Sequence, residues 1–381
     1  MQIVPVKLPA VIFDAGQGAD IPLRNVPKTL FGRLVHVAGF LFENRLTPTH
    51  TTAPDVVGTN NLVKSMTIND GRRNWYRGSF RHLRALEYLW NGGRLLNADP
   101  DTDTASATAR YFRRTFFFGP PRMVGGLLKC GTDFVLPAAL LENGVIHVDF
   151  GTLADLSADA TAATGSVTVY ALCVLLDEVR IPPATQVDYV SVSAKDNAIQ
   201  GRCLYTHVAL LNSNNVDAIA AGDFGNVKVD AGYGDVVPNI PVQALTQSFL
   251  LGYGAGHLTS LSGEPIAASD DNEKSVNLAT PTALKGAERT VQPIVFPVDN
   301  GKLSKMMRVD SSLRIVWDGA QATADILVAR VLEQEAPQTA ALIADALGTL
   351  KRSRKSLRIK TDSKAKYVGP YEVFMPWKVA V

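Results

Sequence analysis

Through most of the chain apolar and polar positions alternate with period two, in short runs bounded by Gly, Pro, Asn and Asp. That pattern predicts β-strands with one buried face. The runs are FGRLVHVAGFLFE (31–43), YFRRTFFF (111–118), FVLPAALL (134–141), GVIHVDF (144–150) and GSVTVYALCVLL (165–176). They continue with VDYVSVS (187–193), LYTHVALL (204–211), IVFPV (294–298), SLRIVW (312–317) and DILVARVL (325–332). Two segments change to the helical period. In SFRHLRALEYLWNGG, Ser79 is placed to cap the start, Phe80, Leu83, Leu86 and Trp90 share one face, and Gly92 stands at the stop. In PVQALTQSFLLG, Pro241 takes a first-turn position, Val242, Leu245 and Phe249 share a face, and Gly252 ends the helix.

The order of these features repeats. The helices end at glycines 92 and 252, and FVLP (134–137) is echoed by IVFP (294–297), both at an offset of 160. ALCVLLDEV (171–179) and LVARVLEQE (327–335) follow at an offset of 156. A tandem duplication is expected, with units at 1–182 and 183–335 divided at the IPP turn (181–183). A unit of this size is an independent β domain carrying one helix, too long for a solenoid repeat or propeller blade. The aromatic run 111–118 finds no clear partner in the second unit.

The tail, 336–381, differs in kind. APQTAALIADALGTL places Leu342, Ile343 and Leu347 on one face of an expected amphipathic helix. KRSRKSLRIKTDSKAK (351–366) follows with eight basic residues against one acidic, among them Lys351, Arg352, Arg354, Lys355, Arg358 and Lys360. Such a stretch can meet nucleic-acid phosphate, anionic lipid or an acidic patch on a neighbouring subunit, or simply be solvated. The segment is read as an arm on the second domain.

Bulk composition adds exclusions. With 46% apolar residues the chain can bury a large core, and 38 basic against 36 acidic residues leave a net charge of only +2. A global field for nucleic acid is thereby excluded. The amino terminus lacks an unbroken apolar stretch, and the longest apolar run, VYALCVLL, is far below the roughly 18 residues needed to span a bilayer. A soluble protein with no secretion signal is expected. Cys130, Cys173 and Cys203 are scattered, with no CxxC, so neither a disulfide framework nor a zinc site is expected.

Candidate chemistry is sparse. GYGAGH (252–257) lacks the GxGxxG spacing and follows a helix, so it reads as helix termination. DPDTDT places Asp99, Asp101 and Asp103 like the start of a calcium loop, but Thr104 and Arg110 stand where glycine and glutamate would be needed. His147 and Asp149 share one face of a strand, with no third ligand evident. His36 and His207, each followed by Val-Ala inside an apolar strand, read as structural histidines. The histidines form no HxH cluster, which argues against a metal-binding bicupin. No catalytic, cofactor or metal site is expected.

One family has this plan. GRLVHVAGFLFE with NNLVKSMTINDGRR, the helix FRHLRALEYLW, FVLPAALLENGVIHVDF and GSVTVYALCVLL, then PVQALTQSFLLG, IVFPV and DILVARVL, resemble in arrangement the double jelly-roll major capsid proteins of tailless icosahedral bacteriophages with an internal membrane. The resemblance is architectural and covers about residues 25–335. It implies an all-β chain of two tandem eight-stranded jelly-roll sandwiches, each with a short helix, plus the C-terminal arm. It further implies a non-enzymatic capsid protein, found in the virion and assembled in the host cytoplasm. Its partners would be itself as a homotrimer, neighbouring capsomers, other capsid proteins such as a vertex protein, and a lipid membrane on the inner face, with no sequence-specific nucleic acid. The alternative is a receptor- or carbohydrate-binding β-sandwich, for which Trp75 and Tyr76 would be the aromatic platform.

Overall fold

The computed structural model describes residues 3–51, 59–90, 106–120, 122–124, 127–129, 134–157, 159–177, 179–181, 185–201, 203–212, 221–232, 234–252, 291–296, 307–309, 311–332, 360–361 and 377–380. The main elements of the first half are β1 (Ile3–Lys7), β2 (Gly18–Pro22), β3 (Arg33–Thr49), β4 (Val63–Asn69), β5 (Asn74–Gly78), α1 (Phe80–Trp90), β6 (Arg110–Phe117), β7 (Leu136–Pro137), β8 (Val145–Phe150) and β9 (Ala162–Leu176). Those of the second are β10 (Thr185–Val192), β11 (Asp196–Gln200), β12 (Cys203–Asn212), β13 (Asn226–Asp230), β14 (Asp235–Pro241), α2 (Val242–Gly252), β15 (Val291–Val295), β16 (Met307–Val309), β17 (Ser312–Trp317) and β18 (Ala324–Leu332).

Pairing repeats strand for strand. In the first half one sheet runs β1-β9-β3, with β6 and β7 both on the far side of β3, and the other runs β2-β8-β4-β5. In the second, β10-β18-β12 carries β15 and β16 on the far side of β12, and the other sheet runs β11-β17-β13-β14. Each strand thus recurs nine labels later with the same neighbours, and α1 recurs as α2. The fold is two tandem jelly rolls.

The topology corrects one correspondence. FVLP contributes β7, whose counterpart is β16, whereas IVFP closes β15, the counterpart of the aromatic strand β6. The aromatic run therefore does have a partner. The offset is not constant, because β5 and β14 start 161 positions apart whereas β6 and β15 start 181 apart. The segment between α2 and β15 is the longer of the two helix-to-strand connections, which produces that jump.

Both long strands change the parity of their period at a bulge. Val35 and Val37 of β3 face the first core, as do Phe40, Phe42 and Leu46, although odd and even positions should point to opposite faces. A bulge at Ala38, skipped between the pairs Gly39–Leu172 and Val37–Cys173, supplies the change of parity. In β12, Cys203 and Tyr205, then Val208 and Leu210, line the second core across a bulge at Thr206.

Strand β18 is apolar on both faces for a physical reason. Ala324, Ile326 and Val328 belong to the second core, while Leu327, Ala329 and Val331 belong to the first. Val187, Ala209 and Leu211 of the adjoining β10 and β12 also turn to the first core. The sheet β10-β18-β12 is thus buried between two hydrophobic layers, which requires a nearly continuous apolar run. Each fully buried aliphatic side chain stabilises by about 1.5–3 kcal/mol. The first core adds edge-to-face contacts joining Phe40, Trp75 and Phe116 to Phe118, and Tyr76 to Phe116.

Of the arm, two short strands are described. Trp377–Ala380 pairs antiparallel with Val179–Ile181, at the link between the jelly rolls, and with Lys360–Thr361. The chain end therefore returns to the connection between the two halves. No helix among the described residues is long and apolar enough to cross a membrane.

Candidate functional site at the junction of the two jelly rolls

The two halves join along one sheet. Edge strand β5 of the first lies parallel to edge strand β10 of the second, with Tyr76 opposite Val187. Around this seam Arg77 grips Asp188 through two bonds (Nε to Oδ1 2.8 Å, Nη2 to Oδ2 3.3 Å). Gln186 Nε2 donates to the Asn74 carbonyl at 3.1 Å, and the Thr185 N–H donates to the Phe118 carbonyl at 2.8 Å.

Helix α1 fills the space above the seam. The sequence predicts a helix with one buried face, yet every residue from Phe80 to Trp90 except Arg81 is buried. The reason is its position between sandwiches: Tyr88 meets Phe249 of α2 with ring centroids 5.8 Å apart, and the Glu87 carboxylate accepts the backbone N–H of Thr115 on β6. The expected cap is present, since Ser79 Oγ accepts the His82 N–H at 3.4 Å. His82 reciprocates, its Nδ1 accepting the Ser79 N–H at 3.1 Å, a role glutamate or glutamine fills in a capping box.

That bond determines the imidazole's tautomer. A backbone N–H can only donate, so Nδ1 is the acceptor and neutral His82 carries its proton on Nε2. Nε2 lies 3.3 Å from Asp325 Oδ2 on β18, and the ring stacks on Tyr189 of β10 at 4.1 Å between centroids. Arg81 Nη1 donates to the same Oδ2 at 3.1 Å, and Ser191 Oγ donates to Oδ1 at 2.6 Å. Burial works against charge at all three titratable groups. It holds His82 below the usual histidine range and brings Arg81 down to about 10, Asp325 partly opposing both shifts. At Asp325 the burial penalty is outweighed by the bonds from His82 and Ser191 and the charge of Arg81, leaving its carboxyl below the ordinary value. The cluster is a carboxylate with an arginine and a neutral histidine, spanning the two jelly rolls. Ser79, His82 and Asp325 form a hydrogen-bonded chain like a hydrolytic triad, but all three are buried, and the Ser79 hydroxyl oxygen is engaged as a helix cap. The arrangement joins two domains.

Other sequence candidates separate clearly. Asp20 of β2 supplies the third member missing beside His147 and Asp149: His147 Nδ1 is 2.6 Å from Asp20 Oδ1, and Nε2 is 3.0 Å from Asp149 Oδ1. The hydrogen bond to Asp20 is the main cause that raises this histidine above its usual value, so the trio is an exposed ion-pair network. No group of three His, Cys, Asp or Glu residues among the described residues could hold a metal ion. His36 and His207 are buried inside strands, and burial takes His207 down to about 3. Cys173 is a core residue with its thiol pushed up to about 12 by burial, and Cys203 is also buried. Trp75 and Tyr76, the aromatics a glycan-binding reading would use, are buried, with Trp75 Nε1 donating to Asp70 Oδ2 at 3.1 Å. DPDTDT, Cys130 and the last five residues of GYGAGH lie outside the described residues.

Of the arm residues, Lys360 stands on the Lys360–Thr361 strand; Leu342, Ile343, Leu347, Lys351, Arg352, Arg354, Lys355 and Arg358 lie outside the described residues. The junction residues had no sequence motif. The one available signal was an SxxH capping pattern at Ser79 and His82, without any hint of the distant Asp325.

The chain is similar in fold to a chain of the atomic structure of Sulfolobus turreted icosahedral virus, at 14% identity and a TM-score of 0.53, covering 92% of this chain and 99% of that one. The crystal structure of the STIV MCP aligns at 12% identity and a TM-score of 0.52, over 88% of this chain and all (100%) of that one. A chain of the quasi-atomic model of the PBCV-1 virus capsid aligns at 10% identity and a TM-score of 0.50, over 87% and 95% of the two chains. No protein-family model and no curated protein sequence matches the chain.

Proposed function

We propose that this chain is a major capsid protein, three copies of which form a pseudo-hexagonal capsomer of an icosahedral virus shell. The observation that carries the reading is the pair of jelly rolls joined side by side through β5 and β10, in a fold that aligns with the viral chains above over 88% and 92% of this chain. A subunit with two similar upright sandwiches supplies two of six positions in a hexagonal tile, so three copies complete it. The role is structural and non-catalytic, and its place is the virion. The domains are 1–182, 183–335 and an arm at 336–381. The arm's basic residues, including Lys351, Arg352, Arg354, Lys355, Arg358 and Lys360, contact a neighbouring capsomer or lipid on the inner face. The return of Trp377–Ala380 to the domain link supports an arm anchored at both ends.

Native mass spectrometry of the full chain, with negative-stain images of the same sample, tests the reading. A stable trimer with a hexagonal outline is expected. A monomer or dimer without that outline would overturn it.

A further inference from the structure

The junction within one chain is a template for a junction between chains. Strands β5 and β10 each end a sheet, and they meet. Their counterparts are β14, which ends the sheet β11-β17-β13-β14, and β1, which ends the sheet β1-β9-β3. Among the described residues neither β14 nor β1 has a second strand partner.

Register makes the correspondence specific. Val187, the seam residue, opposes Ala329, which opposes His207; Ile3 opposes Val174, which opposes His36. Both histidines open the His-Val-Ala phrase, so Ile3 occupies in β1 the place of Val187 in β10. Val187 is 1% exposed, covered by the first jelly roll, whereas Ile3 is 37% exposed. On β14, Val236 is likewise exposed at 39%. The helices show the same asymmetry. The second and third residues of α1, Arg81 and His82, reach across the seam to Asp325, while the second and third of α2, Gln243 and Ala244, are exposed.

We propose that β14 of one copy pairs in parallel with β1 of the next, repeating between chains the join that β5 and β10 make within one. The partner is a second copy of this chain, and the proposal rests on the capsomer reading. The contact is head to tail, which closes into a ring where the rotation permits; three copies give alternating internal and intermolecular seams. Pro5 and Pro238 lack an N–H, so this ladder is short, like the internal one. Prolines on both free edges also discourage indiscriminate strand addition.

The test uses the full chain in a Cys130→Ser background, with native mass spectrometry read first and a short bismaleimide as cross-linker. Ile3→Cys and Val236→Cys are made singly, co-expressed as a pair of chains, and combined in one chain. Neither single variant is expected to cross-link with itself; co-expression should yield one-to-one dimers and the double variant a covalent trimer. In parallel, Ile3→Lys and Val236→Lys should weaken trimer association by about tenfold or more while leaving the monomer's unfolding midpoint unchanged. An intact native trimer with no heterologous cross-link, or with self-linking single variants, overturns the edge pairing and leaves the capsomer standing. A native monomer overturns both.

Discussion

Asp325 and His82 lie 243 positions apart, on opposite jelly rolls, with Asp325 Oδ2 3.3 Å from His82 Nε2 and 3.1 Å from Arg81 Nη1. The carboxylate pairs with a largely buried arginine and orients an imidazole whose other nitrogen caps its own helix. The polar bonds therefore tie α1 to both halves at once.

Removing that carboxylate takes from the largely buried Arg81 side chain the charge that faces it across the seam. Asp325→Ala is expected to lower stability by about 3–5 kcal/mol in chemical denaturation. A loss below about 1 kcal/mol would mean that water reaches the site and the cluster is not a buried junction.

Acid should weaken the protein through its buried histidines. His82 and His207 both have folded values lowered by burial, the latter to about 3. The unfolded chain then binds more protons than the folded one below the ordinary histidine value of about 6.5. For His207 the stability is fully present above that pH and declines as pH falls toward about 3, by about 1.4 kcal/mol per pH unit, and His82 adds a loss of the same sign. Asp325 adds a further loss below the normal carboxylate range, because its folded value is also lowered. The denaturation midpoint against pH is the measurement, and His207→Asn should flatten its slope between about pH 6 and pH 4. An unchanged slope would show that His207 does not carry it.

Phe31 sits in left-handed backbone (φ 51°) beside Gly32 (φ 75°), in the two-residue turn joining Thr29–Leu30 to β3, and is 85% exposed. Such turns favour Asn-Gly. Phe31→Asn is expected to stabilise the isolated chain by about 1 kcal/mol, read as a higher thermal midpoint. A lower midpoint would mean that the ring packs on its own chain.

Gly39 of β3 lies opposite Phe117 of β6, and a Cβ there would overlap the carbonyl oxygen of Phe116. Gly39→Ala has no relief through a flexible side chain, because the obstacle is backbone. It is expected to cost several times what an exposed-strand change such as Thr164→Ser costs at the folding midpoint; a midpoint near that of the unaltered chain would contradict the close approach.

Much of this plan was legible along the chain, for reasons particular to each element. α1 and α2 were readable because their apolar spacing is a local property, and β18 because a run such as DILVARVL suits a strand with no solvent face; Gly92, the expected stop of α1, lies outside the described residues. The duplication was readable from feature order, although FVLP and IVFP were matched to the wrong partners. Connections of unequal length had moved β15 against the expected offset, and a four-letter echo has no means of registering that.

By itself, the sequence determined the ten apolar runs read as strands, the positions of α1 and α2, the repeated order and the lack of any recognised catalytic motif, because these depend on which side chains a local segment must bury. Only the tertiary structure decided the bulges at Ala38 and Thr206, the burial of α1 on all sides, the meeting of His82 with Asp325, and the two free edges at β1 and β14. Those outcomes depend on which surfaces remain after each sandwich has closed, and that choice is made by packing between segments hundreds of residues apart.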